Sequence, residues 1–260
     1  MYKKENVIQQ IDDLFHPRSV AIVGAPRGMK SGAVFLIALL EQGFAGDIYP
    51  VNPRAETISG LKSYSRVSDI PGAVDLAIVL VPYQHSLAVI KECAAKGVKG
   101  AVLFTAGYNE TGTEEGKALQ AEILRVAQAA GMRLIGPNGM GLYSPQSGLS
   151  FFPQMSKAPG PVGIVSHSGS LTNILGVMAS RKGILFSKVI SSGNECDLSA
   201  ADFLTYLGHD PETGLVGAYI EGIQDGTRFF KALRETSLKK PVIIWKVGLT
   251  PEGSRAAHSH

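Results

Sequence analysis

Three hydroxyl groups in "VSHSGSLTN" pose the first chemical question. Ser166, Ser168 and Ser170 surround Gly169 just where an apolar helical run begins. One serine there is a common N-cap. Three around a glycine, with free backbone N–H groups beside them, make a cup for inorganic phosphate. A second loop, "GAPRGMKSG" at 24–32, sits between an apolar run and the next helix. N–H groups and the helix dipole favour an anion there too. Its glycines approach but do not match G-x-G-x-x-G, and tight strand–helix packing without a ligand is the alternative. A nicotinamide site needs Asp or Glu at the end of the second strand to bond the ribose. Asn52 and Pro53 stand in that place, which disfavours NAD and leaves a phosphate-bearing ligand of another kind. Two anion cups suit an enzyme that handles a phosphate-bearing cofactor and a separate phosphate.

Other reactive side chains stand apart. The chain closes on "GSRAAHSH", with His258 and His260 two residues apart. A tail, a metal clip, an expression remnant and the start of a catalytic loop all fit that pattern. Zinc has little support, because i, i+2 spacing lacks a nearby cysteine pair. His16, His85 and His209 lie near proline or helix ends and read as solvated, while His167 contacts phosphate or merely flanks its loop. Cys196 has no partnered histidine in sequence and reads as a packing residue.

The elements that must hold these loops form two tandem series. "SVAIVG", "DIYPVNP", "VDLAIVLVP", "GAVLFTAG" and "RLIGPN" are five apolar runs separated by helical segments. The third barely alternates, as a strand buried on both faces does. Leu87, Ile90 and Ala94 share one face of a helix that stops at Gly97, and Leu119, Ile123, Ala127 and Ala130 line another that ends at Gly131. Strands alternating with helices predict a parallel sheet with right-handed crossovers. From Leu142 to Pro161 the proline, serine and glycine content reads as a linker. A second series follows: "PVGIVS", a helix with Leu171, Ile174, Leu175 and Met178 at i, i+3, i+4, i+7, then "FSKVIS", a helix near Ala200–Leu207, "GLVGAYI", a helix around Phe229 and Leu233, and "PVIIWK". The last strand has no complete helix behind it, so this series reads as unfinished.

Composition excludes several classes. A hydrophobic share of 45% against 18% charged residues fits a packed interior rather than disorder. A net charge of +3, with no basic run interleaved with aromatics, gives no case for nucleic acid. "AVFLIALL" is far short of the roughly 20 residues of a membrane span. The opening "MYKKENVIQQIDDLF" reads as a short amphipathic helix, not a signal peptide. Two distant cysteines without metal spacing predict a reduced, cytoplasmic setting.

The motifs "IYPVNP", "FTAGYNETG", "LIGPNGMGL", "GIVSHSGSL", "SSGNECDL", "DPETG", "YIEGI" and "GSRAAHSH" come in the order seen in the NDP-forming acyl-CoA synthetases, relatives of the succinyl-CoA synthetase α subunit. The chain resembles that family over nearly its whole length. The resemblance implies an α/β protein: a Rossmann-like CoA-binding domain (1–145) followed by a flavodoxin-like, doubly wound CoA-ligase domain (146–260), C-terminally incomplete. It implies the reaction acyl-CoA + phosphate + ADP ⇌ acid + CoA + ATP through acyl phosphate and a phosphohistidine. By the same resemblance Gly24, Pro26, Lys30, Ser31 and Gly32 receive the phosphates of CoA. Asn52, Pro53, Val81, Pro82, Thr105, Ala106 and Gly107 line the rest of the groove, and Asn138 approaches the thioester.

The family's terminal motif is Ser-His-Thr-Gly, whose first half Ser259-His260 matches, so the resemblance puts the phosphorylated imidazole on His260. Neutral imidazole attacks acyl phosphate, and the phosphoramidate keeps a high transfer potential toward ADP. Glu221 in "YIEGI" matches the glutamate that bonds this ring and fixes its tautomer, in the manner of a triad; pairing with Arg or Lys is its bland alternative. Ser166, Ser168, Gly169 and Ser170 are the implied phosphate ligands. His167 stands where relatives carry Gln or Arg. No ATP-grasp segment is recognisable in these residues, so ADP or ATP with Mg²⁺ belongs to a partner subunit or fused domain, and the small organic acid or acyl-CoA to this chain. The runner-up is the acyl-CoA-sensing region of a bacterial protein lysine acetyltransferase, against which His260 and Glu221 together speak.

Overall fold

The computed structural model describes residues 4–28, 32–248 and 250. Helix α1 (Lys4–Phe15) lays Ile11, Leu14 and Phe15 into the core. The first sheet follows from strands β1 (Ser19–Val23), β2 (Asp47–Val51), β3 (Leu76–Val79), β4 (Gly100–Leu103) and β5 (Arg133–Ile135). They stand in the order β2-β1-β3-β4-β5, every pair parallel. Every residue of β1, β3, β4 and β5 is buried, as expected of strands covered on both faces. The connecting helices are α2 (Ala33–Gln42), α3 (Tyr83–Lys96) and α4 (Glu114–Ala129). Helix α3 ends where the sequence predicts: Gly97 turns left-handed and returns its N–H to Ala94 and Cys93.

The second sheet contains β6 (Gly141–Tyr143), β7 (Val162–Ser166), β8 (Phe186–Ser191), β9 (Leu215–Ile220) and β10 (Val242–Lys246), in the order β10-β9-β7-β8-β6. Only β6 runs antiparallel, against β8. Its helices are α5 (Gly169–Arg181), α6 (Ala200–His209) and α7 (Gly226–Ser237). In each sheet the strand order reverses beside the first strand of the series. Strands β1 and β3, and again β7 and β9, therefore open a crevice at their carboxyl ends, where parallel α/β sheets hold ligands.

The segment expected to be a linker is packed instead. Leu142, Tyr143, Leu149, Phe151 and Met155 are at most 4% exposed. The Gln42 side chain donates to the Pro153 and Met155 carbonyls at 2.9 and 2.8 Å. This stretch carries its apolar residues without a period, so no pattern announces them. Helix α5 also departs from expectation. Ile174 and Met178 are 56% and 53% exposed, while Thr172 and Gly176 are the buried positions. The Met155 thioether presses so closely on Gly176 that a Cβ there would lie 2.1 Å from its sulfur. The helix thus turns its smallest face inward, and its apolar stripe does not mark the core side. Ala130, expected on the inner face of α4, is an exposed cap residue.

One apolar core joins α1, α2, α6 and both sheets. Polar ties reinforce it. Arg133 makes a bidentate pair with Asp197 at 2.8 and 3.0 Å, the Tyr206 hydroxyl donates to Asp12 at 2.9 Å, and the Phe15 and Tyr206 rings stack at 5.3 Å. The crevices of the two sheets are therefore held in a fixed relation.

Candidate active site and cofactor groove

Where β1 and β3 part, a groove of about 840 Å³ opens. Gly24, Pro26, Gly32, Asn52, Pro82 and Thr105, all expected from the sequence, line it. Gly24 has φ +86°, and a Cβ would approach Val81 to 3.0 Å, so only glycine lets the chain turn there at rest. The Asn52 side chain donates to the Ala25 carbonyl at 2.8 Å and its carbonyl oxygen accepts the Arg54 N–H at 2.8 Å, which ties the end of β2 to the loop after β1. Val81 packs beneath the loop, and the Thr105 hydroxyl donates to its carbonyl at 3.1 Å. Gly107 donates its N–H to Glu110 at 2.6 Å. Pro53, Val81, Ala106 and Gly107 are not among the lining residues. Lys30 and Ser31 lie outside the described residues. Sequence reasoning missed Arg27 and Arg54, two exposed cations on the groove, along with Leu80 and Phe104.

The second crevice is smaller, a cavity of about 290 Å³. Ser168, Gly169, Ser170, Asn138 and Glu221 meet there, joined by Phe104, Gly139, Met140, His167, Gly193 and Asn194. Register explains the meeting: Ser166 at the end of β7 stands between Ser191 of β8 and Tyr219 of β9, so the residues after all three strands converge. Ser168 caps α5 by accepting the Leu171 N–H at 3.4 Å and shares a 3.3 Å contact with the Ser170 hydroxyl. Ser166 is fully buried and does not reach the cavity. Its hydroxyl donates to the Ser168 carbonyl at 2.9 Å and accepts the Ser168 N–H at 3.2 Å, which makes it the brace of the loop.

The carboxylate side is built from β9 and the turn after β8. Glu221 is half-buried, and its Oε1 is wholly shielded from solvent and finds no hydrogen-bond partner among the described residues. Such an atom is costly to leave unmatched. Burial, with the Glu221 carboxylate beside it, pushes the Tyr219 hydroxyl above the ordinary tyrosine range. Lys246 donates to the Glu221 carbonyl at 2.9 Å rather than to its carboxylate. The Glu221 N–H donates to His167 Nδ1 at 3.3 Å, which leaves the proton of a neutral ring on Nε2. That nitrogen lies 3.0 Å from Glu195 Oε1 but outside hydrogen-bond geometry. Glu195 itself sits at φ +56° and accepts the Ser192 hydroxyl at 2.8 Å. Asn194 reaches Glu110 and Gln120 with its amide, and its N–H donates to the Pro137 carbonyl at 2.9 Å. Burial pushes the Glu110 carboxyl up, yet donors from Gly107, Asn194 and Tyr108 outweigh it and hold the group below the usual carboxylate range.

Cys196 and Cys93 are free, and burial raises both thiols to about 12, so neither is a nucleophile at neutral pH. His258, Ser259 and His260 lie outside the described residues. Among the described residues, no helix is long and apolar enough to cross a membrane.

The described residues thus place two crevices on tandem parallel sheets, one wide and flanked by exposed cations, the other small and edged by a shielded carboxylate oxygen. Residues 18–145 match the CoA binding domain, and residues 159–260 the succinyl-CoA ligase like flavodoxin domain. The acetate–CoA ligase (ADP-forming) II subunit alpha of Pyrococcus furiosus is 41% identical over 96% of this chain and 54% of its own length. The succinate–CoA ligase (ADP-forming) subunit alpha 2 of Archaeoglobus fulgidus is 31% identical over 78% of this chain and 70% of its own. A solved structure, dinucleotide forming acetyl-coenzyme A synthetase 1 of Ca. Korarchaeum cryptofilum in its apo form, superposes with a TM-score of 0.88 at 39% identity, over 96% of this chain and 55% of that one. The chain belongs to the ADP-forming acyl-CoA synthetase family. It spans about half the length of the first of these relatives.

Proposed function

We propose that this chain is the CoA-binding and phosphohistidine-relay part of an ADP-forming acyl-CoA synthetase. The wide groove takes CoA, with Gly24, Pro26, Gly32, Asn52, Pro82 and Thr105 as its wall and Lys30 and Ser31 completing the phosphate loop. Arg27 and Arg54 supply charge for its phosphates. CoA supplies the thiol whose acyl ester phosphate attacks. Ser168, Gly169 and Ser170 hold the phosphate, their donors meeting the charge on its oxygens. His260 takes the phosphoryl group from acyl phosphate: the N–P bond forms as the P–O bond to the departing carboxylate breaks. Glu221 accepts the ring N–H on the far side and steadies the positive charge that develops. ADP then receives the phosphoryl group in an ATP-grasp subunit or fused domain, which also holds Mg²⁺.

The observation that carries this reading is the Glu221 Oε1, buried and without a partner among the described residues, at the edge of the cavity that the start of α5 also lines. A carboxylate oxygen left open there, beside the Tyr219 hydroxyl, fits a ring that arrives from elsewhere in the molecule. The free state of both cysteines accords with a cytoplasmic setting. The test is incubation of the full-length protein with acetyl phosphate, followed by a search for acid-labile phosphate on His260. Label on that imidazole is expected. Its absence in protein that still binds CoA by calorimetry overturns the relay and leaves a CoA-binding scaffold. Preference for NAD over CoA in the same titration overturns the cofactor.

A further inference from the structure

Phe104 follows β4 and is the residue common to the linings of the groove and the cavity. Its ring is held edge-on to Phe35 at 5.0 Å, and Phe35 is wholly buried in α2. The Phe104 N–H donates to the Val79 carbonyl at 3.1 Å, so backbone and ring are both fixed. Met140 lines the cavity too, with its backbone tied down. Its N–H donates to the Ser191 hydroxyl at 3.0 Å, and its side chain packs so near Gly169 that a Cβ there would lie 2.7 Å from Met140 Cγ. The cavity of about 290 Å³ thus has two apolar walls that do not yield easily. Its charge is one-sided. None of the described residues that line it is Lys or Arg, and Glu221 is the carboxylate among them.

We propose that Phe104 is the specificity-determining residue for the acyl group: its ring borders both groove and cavity, and it admits a short, uncharged acyl chain while turning away longer ones. This rests on the reading that the groove takes CoA and the cavity takes phosphate, because an acyl carbon attacked by that phosphate must lie where the two spaces meet. A branch or extra methylenes on that carbon run into a pinned ring. A free carboxylate at the far end of the acyl chain meets Glu221 with no cation among the described lining residues to offset it.

The test is calorimetric binding of CoA, acetyl-CoA, hexanoyl-CoA and succinyl-CoA to the full chain, with each acyl-CoA expressed relative to free CoA. Wild type is expected to bind acetyl-CoA about as well as CoA, and hexanoyl-CoA and succinyl-CoA weaker by about tenfold or more. Phe104→Ala removes the hexanoyl penalty and keeps the succinyl penalty; Phe104→Leu falls between and guards against a folding failure of the larger change. Equal binding of acetyl-CoA and hexanoyl-CoA by wild type overturns the assignment, as does a hexanoyl penalty that survives in both folded variants. Failure of wild type to bind CoA at all strikes the cofactor reading instead.

Discussion

The junction after β1 and the junction after β7 occupy equivalent places, each beside a reversal of strand order, yet they are finished differently. After β1 the wall is glycine, proline and backbone, α2 starts at Gly32 without a side-chain cap, and the space is about 840 Å³. After β7 the helix is capped by Ser168, hydroxyls interlock, a carboxylate oxygen is buried without a partner among the described residues, and the space is about 290 Å³. A long ligand with several phosphates is served by open backbone and exposed cations, since each contact is weak and many add. A single small anion that must be transferred needs side chains held at fixed positions. Under the proposed function, the same supersecondary unit serves both tasks, and the finishing residues decide which.

The sharpest way to break this contrast is Glu221→Gln. It should lower phosphoryl transfer to the enzyme by on the order of 10³–10⁴-fold, in line with loss of a ring-orienting carboxylate. CoA affinity should stay unchanged by calorimetry; a parallel loss of both would erase the distinction between the two junctions. Next comes glycine. Gly193 has φ +59°, and a Cβ would lie 2.2 Å from the Pro137 carbonyl oxygen, against 3.0 Å to a Val81 methyl at Gly24. Gly193→Ala should cost roughly 1–3 kcal/mol in chemical unfolding, and more than Gly24→Ala, because the Pro137 carbonyl, held by the Asn194 N–H, yields less than a side-chain methyl. Ser168→Ala should cost about 1 kcal/mol through the lost cap and raise the KM for phosphate. The matching change at Gly32, Gly32→Ser, should leave that KM unmoved.

The smallest effect is the response to acid. Burial pushes Asp75 up, but Lys99 and the Arg18 N–H, at 2.9 and 2.8 Å, outweigh it, so Asp75 and Glu110 both lie below the usual carboxylate range. Groups depressed in the folded state stabilise it above the unfolded value, near pH 4, and lose that contribution as pH falls through their folded values. The urea midpoint should therefore hold down to about pH 5 and drop below about pH 4. Glu110→Gln should flatten the drop. Because Glu110 receives the Asn194 amide at the cavity edge, that variant also reports on the second junction.

Much of the frame was legible in the residues. Apolar runs that end at glycine or proline mark β1 through β5, and Gly97 closes α3 as its position predicts. The serine cluster announces the second junction through residue type alone. The packed stretch from 142 to 161 was not legible, because its buried aromatics follow no period. Nor was the rotation of α5, where a neighbour's thioether, not the apolar stripe, selects the inner face. In the site, Glu221 stood out only through the family's motifs. The approach of His167 to Glu195 depends on a left-handed residue after β8, and the place of Phe104 on the border of both spaces depends on tertiary packing; neither leaves a mark in local sequence.

Among the described elements α1 is translated first, yet the hydroxyl that meets its Asp12 belongs to Tyr206, 194 residues later. A helix of 12 residues does not hold its shape alone in water. While the ribosome is still making the second sheet, Ile11, Leu14 and Phe15 are thus left without α6 to cover them. The seam between α1 and α6 closes only after α6 emerges, so the nascent chain carries these apolar side chains unlatched while everything between the two helices is made.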